Sequence, residues 1–581
     1  MPSESAPTPS FRTPSLATAV ARARELDRSG HPGAPEAWEQ VRALAGDAGV
    51  DDLLAGELAQ AQGLARGDEG NWAAAITGLD AAAAHFEAAG QPGQAAAAAA
   101  RAAWAAAQPD PAADVWPELD AQLSRVTQLL AAGRATPADL LTIRHARGAA
   151  AALAVQRAVA AAPGAAPAGP GAPLTGRLDA EARALLDDAR AHGHLAREAA
   201  AMSLLAFAAS AAGHPQEEAA CLSRMSELLD QAGQPWATAA VLTRLGELAL
   251  REGQPAQAAA LLERAVAIAG QWPPRGGPAV AAPLLLAHAR AGQGAALVAA
   301  GHAPEAIAAL TQAMPALGES EVAARAHADL GQAFRMAGDL PAAAQEFTLA
   351  AAGLAAGPDQ AAHLQASLEA ARAQAEAAMW PQARSSYEYA RLVGSGLGQW
   401  PAVARIHREL AHLCIQEQGD AGLGAAMAQL DEARSIAEAH GAAAGADAAG
   451  NDGTAGSDGA AGNDGAAGIA ARAALVREHG LTCYEAAQVL VHAGHLEEAL
   501  GWLDRAIADL SADDRDIETV ADAAYVAADL EGNRLGRAQA ARQRLAPVIE
   551  RCGALHAEQS RSALSQLSAQ LPGSAASSGA S

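Results

Sequence analysis

At 581 residues the chain is longer than one hydrophobic core supports, so it is either several domains or a repeat array. Alanine dominates, hydrophobic residues make up 51% and aromatic residues only 3%, a balance that favours thin, closely packed helices over sheets. The formal charge of −25 argues against general affinity for nucleic acid or anionic membrane, since both need net positive surface.

In chain order, residues 1–14 form a Pro- and Ser-rich leader expected to be disordered. It has no charged head followed by an apolar run of signal-peptide length. Residues 15–162 read as degenerate N-terminal helical repeats with one good copy, Gly63, Gly70, Ala75, Leu79 and Ala82. Residues 163–176 open on PGAAPAGPGAP, a Pro/Gly linker that breaks the array and leaves open whether the first helices continue it.

The central array, 177–440, holds the clearest unit, from Ala323 to about Ala355. Leu330, Gly331, Phe334, Gly338, Ala343, Phe347 and Ala350 fall there at offsets 0, 1, 4, 8, 13, 17 and 20. Leu245, Gly246, Ala249, Gly253, Ala258, Leu262 and Ala265 repeat those offsets. So do Gly294, Leu297, Gly301, Ala306, Leu310 and Ala313. A weaker copy carries Ala371, Ala378, Ala383, Tyr387 and Ala390, and adjacent copies lie about 40 residues apart.

Residues 441–468, with NDGTAG, SDGAAG and NDGAAG, read as a flexible acidic tether that frees the last repeats as a separate lobe. The spacing of Asp452, Asp458 and Asp464 fits no calcium loop. Residues 469–570 return to the repeat with Ala487, Leu490, Gly494, Ala499, Leu503 and Ala506, and 571–581 form a Ser/Gly/Ala tail.

Residues three and four apart share a helix face, so the Leu-Gly-x-x-Phe step marks the buried side of one helix. The Ala-x-x-x-Phe-x-x-Ala step marks that of the next. Glycine and alanine at the first crossing admit close backbones, and the glycine eight residues after the leucine makes the turn. One such hairpin cannot bury its own apolar face, so neighbours stack into an all-α solenoid of antiparallel helix hairpins.

These positions resemble the tetratricopeptide repeat, strongly from Ala199 to His440 and again from Ile469 to Cys552. The longer spacing is similar to that of bacterial interaction and sensor regions attached to transcription regulators. The resemblance implies a concave groove lined by the first helix of each hairpin. It places Arg251, Arg325, Arg335, Arg372, Arg405, Arg408 and His412 on that wall, with Arg290 one position off. Such a run of cations implies a groove for carboxylates, each arginine offering a bidentate fork. The alternative is that the same arginines pair with Glu and Asp of neighbouring helices, as Arg372 with Glu369.

All 40 basic residues are arginine, so there is no lysine nucleophile and no Gly-Lys phosphate loop. Cys221, Cys414, Cys483 and Cys552 lack CxxC spacing and read as small packing residues in a reducing compartment. His192/His194, His407/His412 and His492/His495 join no second cluster at ligand spacing, so no metal and no cofactor are expected. Tryptophans such as Trp72, Trp104, Trp380 and Trp502 read as packing between hairpins.

The sequence therefore predicts a cytoplasmic scaffold, not an enzyme, that binds an acidic segment of a partner protein. A sensor for a small peptide or metabolite, and an enzyme with an unrecognised site, are the alternatives. Oligomeric state is not encoded in these features.

Overall fold

The computed structural model describes residues 15–28, 34–46, 50–110, 113–161, 172–271, 281–450 and 461–571, with the side chains of 281–282, 442–450, 461–469 and 172 left aside. Among these residues the regular structure is helical, and within each compact unit each helix packs on the next along the chain. The leader 1–14 and the tail after Leu571 lie outside the described residues.

The hairpin between Glu321–Met336 and Leu340–Leu354 shows how the pattern folds. Gly338 adopts φ 83°, which lets its N–H donate to Arg335 and the Asp339 N–H donate to the Phe334 carbonyl, closing the first helix. The Asp339 carboxylate then accepts from the Ala342 N–H and starts the second helix. Between the two helices, Gly331 lies against Phe347. A Cβ at Gly331 would come within 2.8 Å of the ring, so only glycine permits this approach. The marks Leu330, Ala343, Phe347 and Ala350 are buried, as are Leu245, Ala258, Leu262 and Ala265 in their copy.

The chain forms two compact units, Met1–Gly318 and Glu319–Ser581. In the first, one apolar cluster contains Leu141 and Val155 together with Leu178, Leu185, Leu204, Leu228 and Leu242. The core therefore continues across the Pro/Gly segment. The helix Ala172–Ala191 begins inside the expected 163–176 linker, and residues 162–171 lie outside the description.

In the second unit the expected tether does not separate a lobe. The backbone is helical over Leu423–Gly450 and again over Ala461–His492, while 451–460 lie outside the described residues. Ala411, Cys414, Ala426 and Leu430 share one buried cluster with Cys483, Leu490, Leu503 and Leu530. Composition pointed to a free lobe because glycine and aspartate dominate the insert. The apolar faces on either side of it pack together nonetheless.

Candidate functional site

Within each unit, alternate helices pack on one another as well as on their sequence neighbours. Pro92–Ala106 meets Pro137–Ala161, which meets Leu195–Ala211, and in the second unit Trp400–Gln418 meets Ala461–His492. The first helices of successive hairpins thus form one layer.

In the second unit, arginines stitch that layer to carboxylates of the following first helix. Arg335 donates to Glu369 at 3.0 Å, Arg372 to Glu409 at 2.8 Å, and Arg408 to Glu478 at 2.5 Å and to Glu485 at 2.9 Å. Burial opposes charge on Arg372 and Arg408, but Glu409 for the one and Glu485 and Glu478 for the other hold both guanidiniums firmly protonated. His412 Nε2 lies 3.4 Å from Glu485 Oε2, and that carboxylate raises its pKa. Arg325 pairs with Glu321 at 2.6 Å on its own helix, and Arg251 lies 3.9 Å from Glu218.

Pairing across helices, the alternative open at the sequence level, is therefore the arrangement seen for Arg335, Arg372 and Arg408. Arg405 differs: its Nε is buried without a hydrogen-bond partner among the described residues. Arg290 is half-buried, with no ion pair among them. Arg251 and Arg290 belong to the first unit, and the other predicted residues to the second.

In the first unit the same layer carries cations with no carboxylate stitched to them. Two adjoining cavities, of about 350 and 280 Å³, share Leu64, Arg101 and Thr142 in their walls. The smaller is completed by Trp104, His145, Ala146, Ala149 and Arg197, and no acidic side chain lines it. Arg197 donates from Nη1 to Nδ1 of His145 at 2.8 Å and from Nη2 to the Thr142 hydroxyl at 3.0 Å. Both acceptors are neutral. Because a guanidinium only donates, His145 Nδ1 must be unprotonated and its proton sits on Nε2.

Burial and the two nearby guanidiniums push His145 down to about 4, and burial with Arg101 lowers Arg197 to about 10. Burial also lowers Arg101, which Asp27 and Asp139 oppose through space without forming an ion pair among the described residues. Asp139 instead accepts from the Thr136 N–H and hydroxyl, both at 2.8 Å. Solvent reaches Asp27, yet the surrounding walls raise its carboxyl above the ordinary range. In the larger cavity the Gln94 Oε1 is buried with no hydrogen-bond partner among the described residues. The positive charge is confined to the smaller cavity, around Arg101 and Arg197, while the larger one sets Arg24 and Arg101 beside Asp27, Glu57 and Asp139.

Sequence reasoning missed Arg101, His145 and Arg197 because they lie in the degenerate repeats, where the groove register could not be carried over. A usable signal was present in what faces Arg197 from the preceding first helix. Its helix neighbours 52 and 55 residues earlier are His145 and Thr142, where the later repeats supply glutamate.

Of the tryptophans, Trp72 and Trp104 meet edge to face at 5.8 Å and Trp502 is buried, as packing residues would be. Cys414, Cys483 and Cys552 are buried, Cys221 is half-buried, and all four are free thiols. His407 Nδ1 meets Gln429 at 2.8 Å, and burial lowers its pKa. Among the described residues, none of the three histidine pairs named from the sequence forms a metal-like cluster.

The stacked hairpins, with their glycine turns and Gly-on-Leu or Gly-on-Phe crossings, define an all-α repeat solenoid of the tetratricopeptide type. No helix of the described residues is long and apolar enough to cross a membrane. No protein-family model matches the chain, and no curated protein sequence does.

Among solved structures, the apo form of RapI is similar at 9% identity, covering 67% of this chain and 91% of its own, with a TM-score of 0.41. A Rap protein complexed with competence and sporulation factor gives 12% identity, 67% and 91% coverage, and 0.32. A putative kinesin light chain of nearly identical TPR-like repeats, from Podosopora anserina, gives 20%, 36% and 98%, and 0.28.

Proposed function

We propose that the protein is a binding scaffold and that its first unit receives an acidic segment of a partner polypeptide in the recess walled by Arg101, His145 and Arg197. The observation that carries this reading is the pairing state of the arginines. Arg335, Arg372 and Arg408 have protein carboxylates and stabilise the array, whereas Arg197 has neutral acceptors and Arg101, among the described residues, has only the through-space attraction of Asp27 and Asp139. A partly buried guanidinium without its anion is costly, and a ligand carboxylate removes that cost while accepting two parallel hydrogen bonds.

The adjoining cavity, lined by Asp27, Glu57 and Asp139 and by the buried Gln94 oxygen, suits backbone N–H donors and neutral side chains that flank the acidic residue. Leu64, Trp104, Ala146 and Ala149 supply apolar contact beside the charge. No reaction is proposed.

The test is calorimetric titration of the intact chain with Asp/Glu-rich octapeptides, each with a free or an amidated C-terminus. Saturable binding that falls at least tenfold in Arg101→Gln and Arg197→Gln, with unchanged helicity, supports the reading. Equal binding by the variants, or none by the parent across the panel, sinks it. Binding of free dicarboxylates without binding of any peptide transfers the site to the sensor reading.

A further inference from the structure

A second cluster lies in the other unit, where three helices bring together a mixed set of donors. His479 and Cys483 stand four residues apart on Ala461–His492, hence on one face. Asp509 comes from Leu496–Leu510 and Glu438 from Leu423–Gly450. His479 Nδ1 lies 2.5 Å from Asp509 Oδ2 and 3.9 Å from Cys483 Sγ, which is 4.0 Å from Nε2. On the opposite edge of the ring, Nε2 lies 3.3 Å from Glu438 Oε1. One donor atom from each of His479, Cys483 and Asp509 falls within 4.8 Å of the other two.

We propose that His479 Nδ1, Cys483 Sγ and Asp509 Oδ2 form a binding site for a thiophilic divalent cation of the zinc type.

Nitrogen, sulfur and oxygen together suit zinc better than magnesium or calcium, which take oxygen alone. Zinc bonds of about 2.0–2.3 Å at tetrahedral angles set ligand atoms about 3.3–3.7 Å apart. The cluster reaches that geometry if Asp509 withdraws by about 1 Å from Nδ1 and the imidazole turns its Nδ1 edge toward the sulfur. Asp509 is partly exposed and retains the freedom to move, whereas Cys483 is fully buried and fixes the sulfur. With the ion on Nδ1, the Nε2–H of His479 donates to Glu438, the outer carboxylate that orients metal-bound histidines.

Arg434 is held by Glu438 at 2.9 Å, with its guanidinium 5.4 Å from the Trp502 ring. A coordinated thiolate and carboxylate also balance the ion's two charges, so the site adds no net charge to the helix junction. Three protein ligands leave a fourth position to water.

Sequence spacing concealed the site. Only His479 and Cys483 share a helix, while Asp509 and Glu438 come from 30 residues after His479 and 41 before it. Its occupation would tie three consecutive helices together on both sides of residues 451–460, stabilising the region rather than catalysing a reaction.

The experiment is a cobalt(II) titration of the intact, chelator-treated chain, followed in the near ultraviolet and visible, with zinc added afterwards. A 1:1 thiolate-to-cobalt charge-transfer band, bleached by zinc, is expected. The band should be lost in Cys483→Ser and kept in Cys414→Ser and Cys552→Ser. Since a buried serine can disturb packing, Asp509→Asn and Glu438→Gln provide a second measure, each expected to weaken cobalt affinity about tenfold or more with an unchanged melting profile of the metal-free protein. Absence of a charge-transfer band at stoichiometric cobalt, or a band that survives Cys483→Ser, overturns the proposal.

Discussion

The Arg197 guanidinium donates to a histidine rather than to a carboxylate: its Nη1 meets Nδ1 of His145 at 2.8 Å. Burial comes first and the charges of Arg197 and Arg101 second in holding this histidine down to about 4, from 6.5. A group whose folded pKa is depressed contributes stability above its unfolded value, and that stability is lost as pH falls toward the folded one.

The window is thus pH 6.5 down to 4. Over it the parent should lose roughly 2 kcal/mol more stability in the first unit than His145→Gln, after allowance for the partial exposure of the ring. Urea unfolding of both proteins at half-unit pH steps measures the difference. Parallel curves for the two proteins would show that His145 is not held neutral. A bound carboxylate should reverse the trend and cause proton uptake near pH 5, visible as a dependence of binding heat on the buffer.

The hairpins were legible in the sequence because their determinants are local. Leu330, Gly331, Gly338 and Phe347 lie within 18 residues, and each position is fixed by a turn or a crossing inside one hairpin. The pairing state of the arginines was not legible. It depends on what stands opposite in the next first helix, 34 residues away for Arg335 and Glu369 and 37 for Arg372 and Glu409. A spacing rule placed the cations on one layer but carried no information about the acids facing them. The insert misled for a related reason, since its composition describes the connector and not the apolar faces that meet across it.

Gly331 makes the packing rule testable. Its missing Cβ would stand 2.8–2.9 Å from three carbons of Phe347, and Phe347 is buried without space to retreat. Gly331→Ala should therefore destabilise by about 1–3 kcal/mol despite the higher helix propensity of alanine. The comparison is Gly424→Ala, where no atom lies within 4 Å of the new methyl and stability should rise slightly. If both substitutions stabilise alike, close approach at the crossing is not what selects glycine.

Ala378 occupies the turn position that glycine fills in the neighbouring hairpin, and it does so with φ 57°. A side chain in that left-handed region costs about 1 kcal/mol, part of which a glycine would return through its freer unfolded chain. Ala378→Gly should raise stability by about 0.5 kcal/mol, read as a higher urea midpoint at unchanged slope. A fall would mean that the turn is not strained by its alanine.

Arg408 and Arg325 separate the structural from the ligand-facing role of the predicted wall. The Arg408 side chain is 14% exposed and its partners Glu478 and Glu485 are 9% and 16% exposed, so Arg408→Gln strands two carboxylates away from water. Removing one side of such a buried pair costs about 3 kcal/mol or more, and hydrogen exchange should quicken in the helices Trp400–Gln418 and Ala461–His492 together. The Arg325 side chain is 61% exposed beside Glu321, and Arg325→Gln should change stability by less than about 0.5 kcal/mol. Neither substitution should weaken the binding of acidic peptides if the recess of the first unit receives them. A loss of peptide affinity in Arg325→Gln, at unchanged stability, would move the binding surface to the second unit and restore the wall inferred from the repeat.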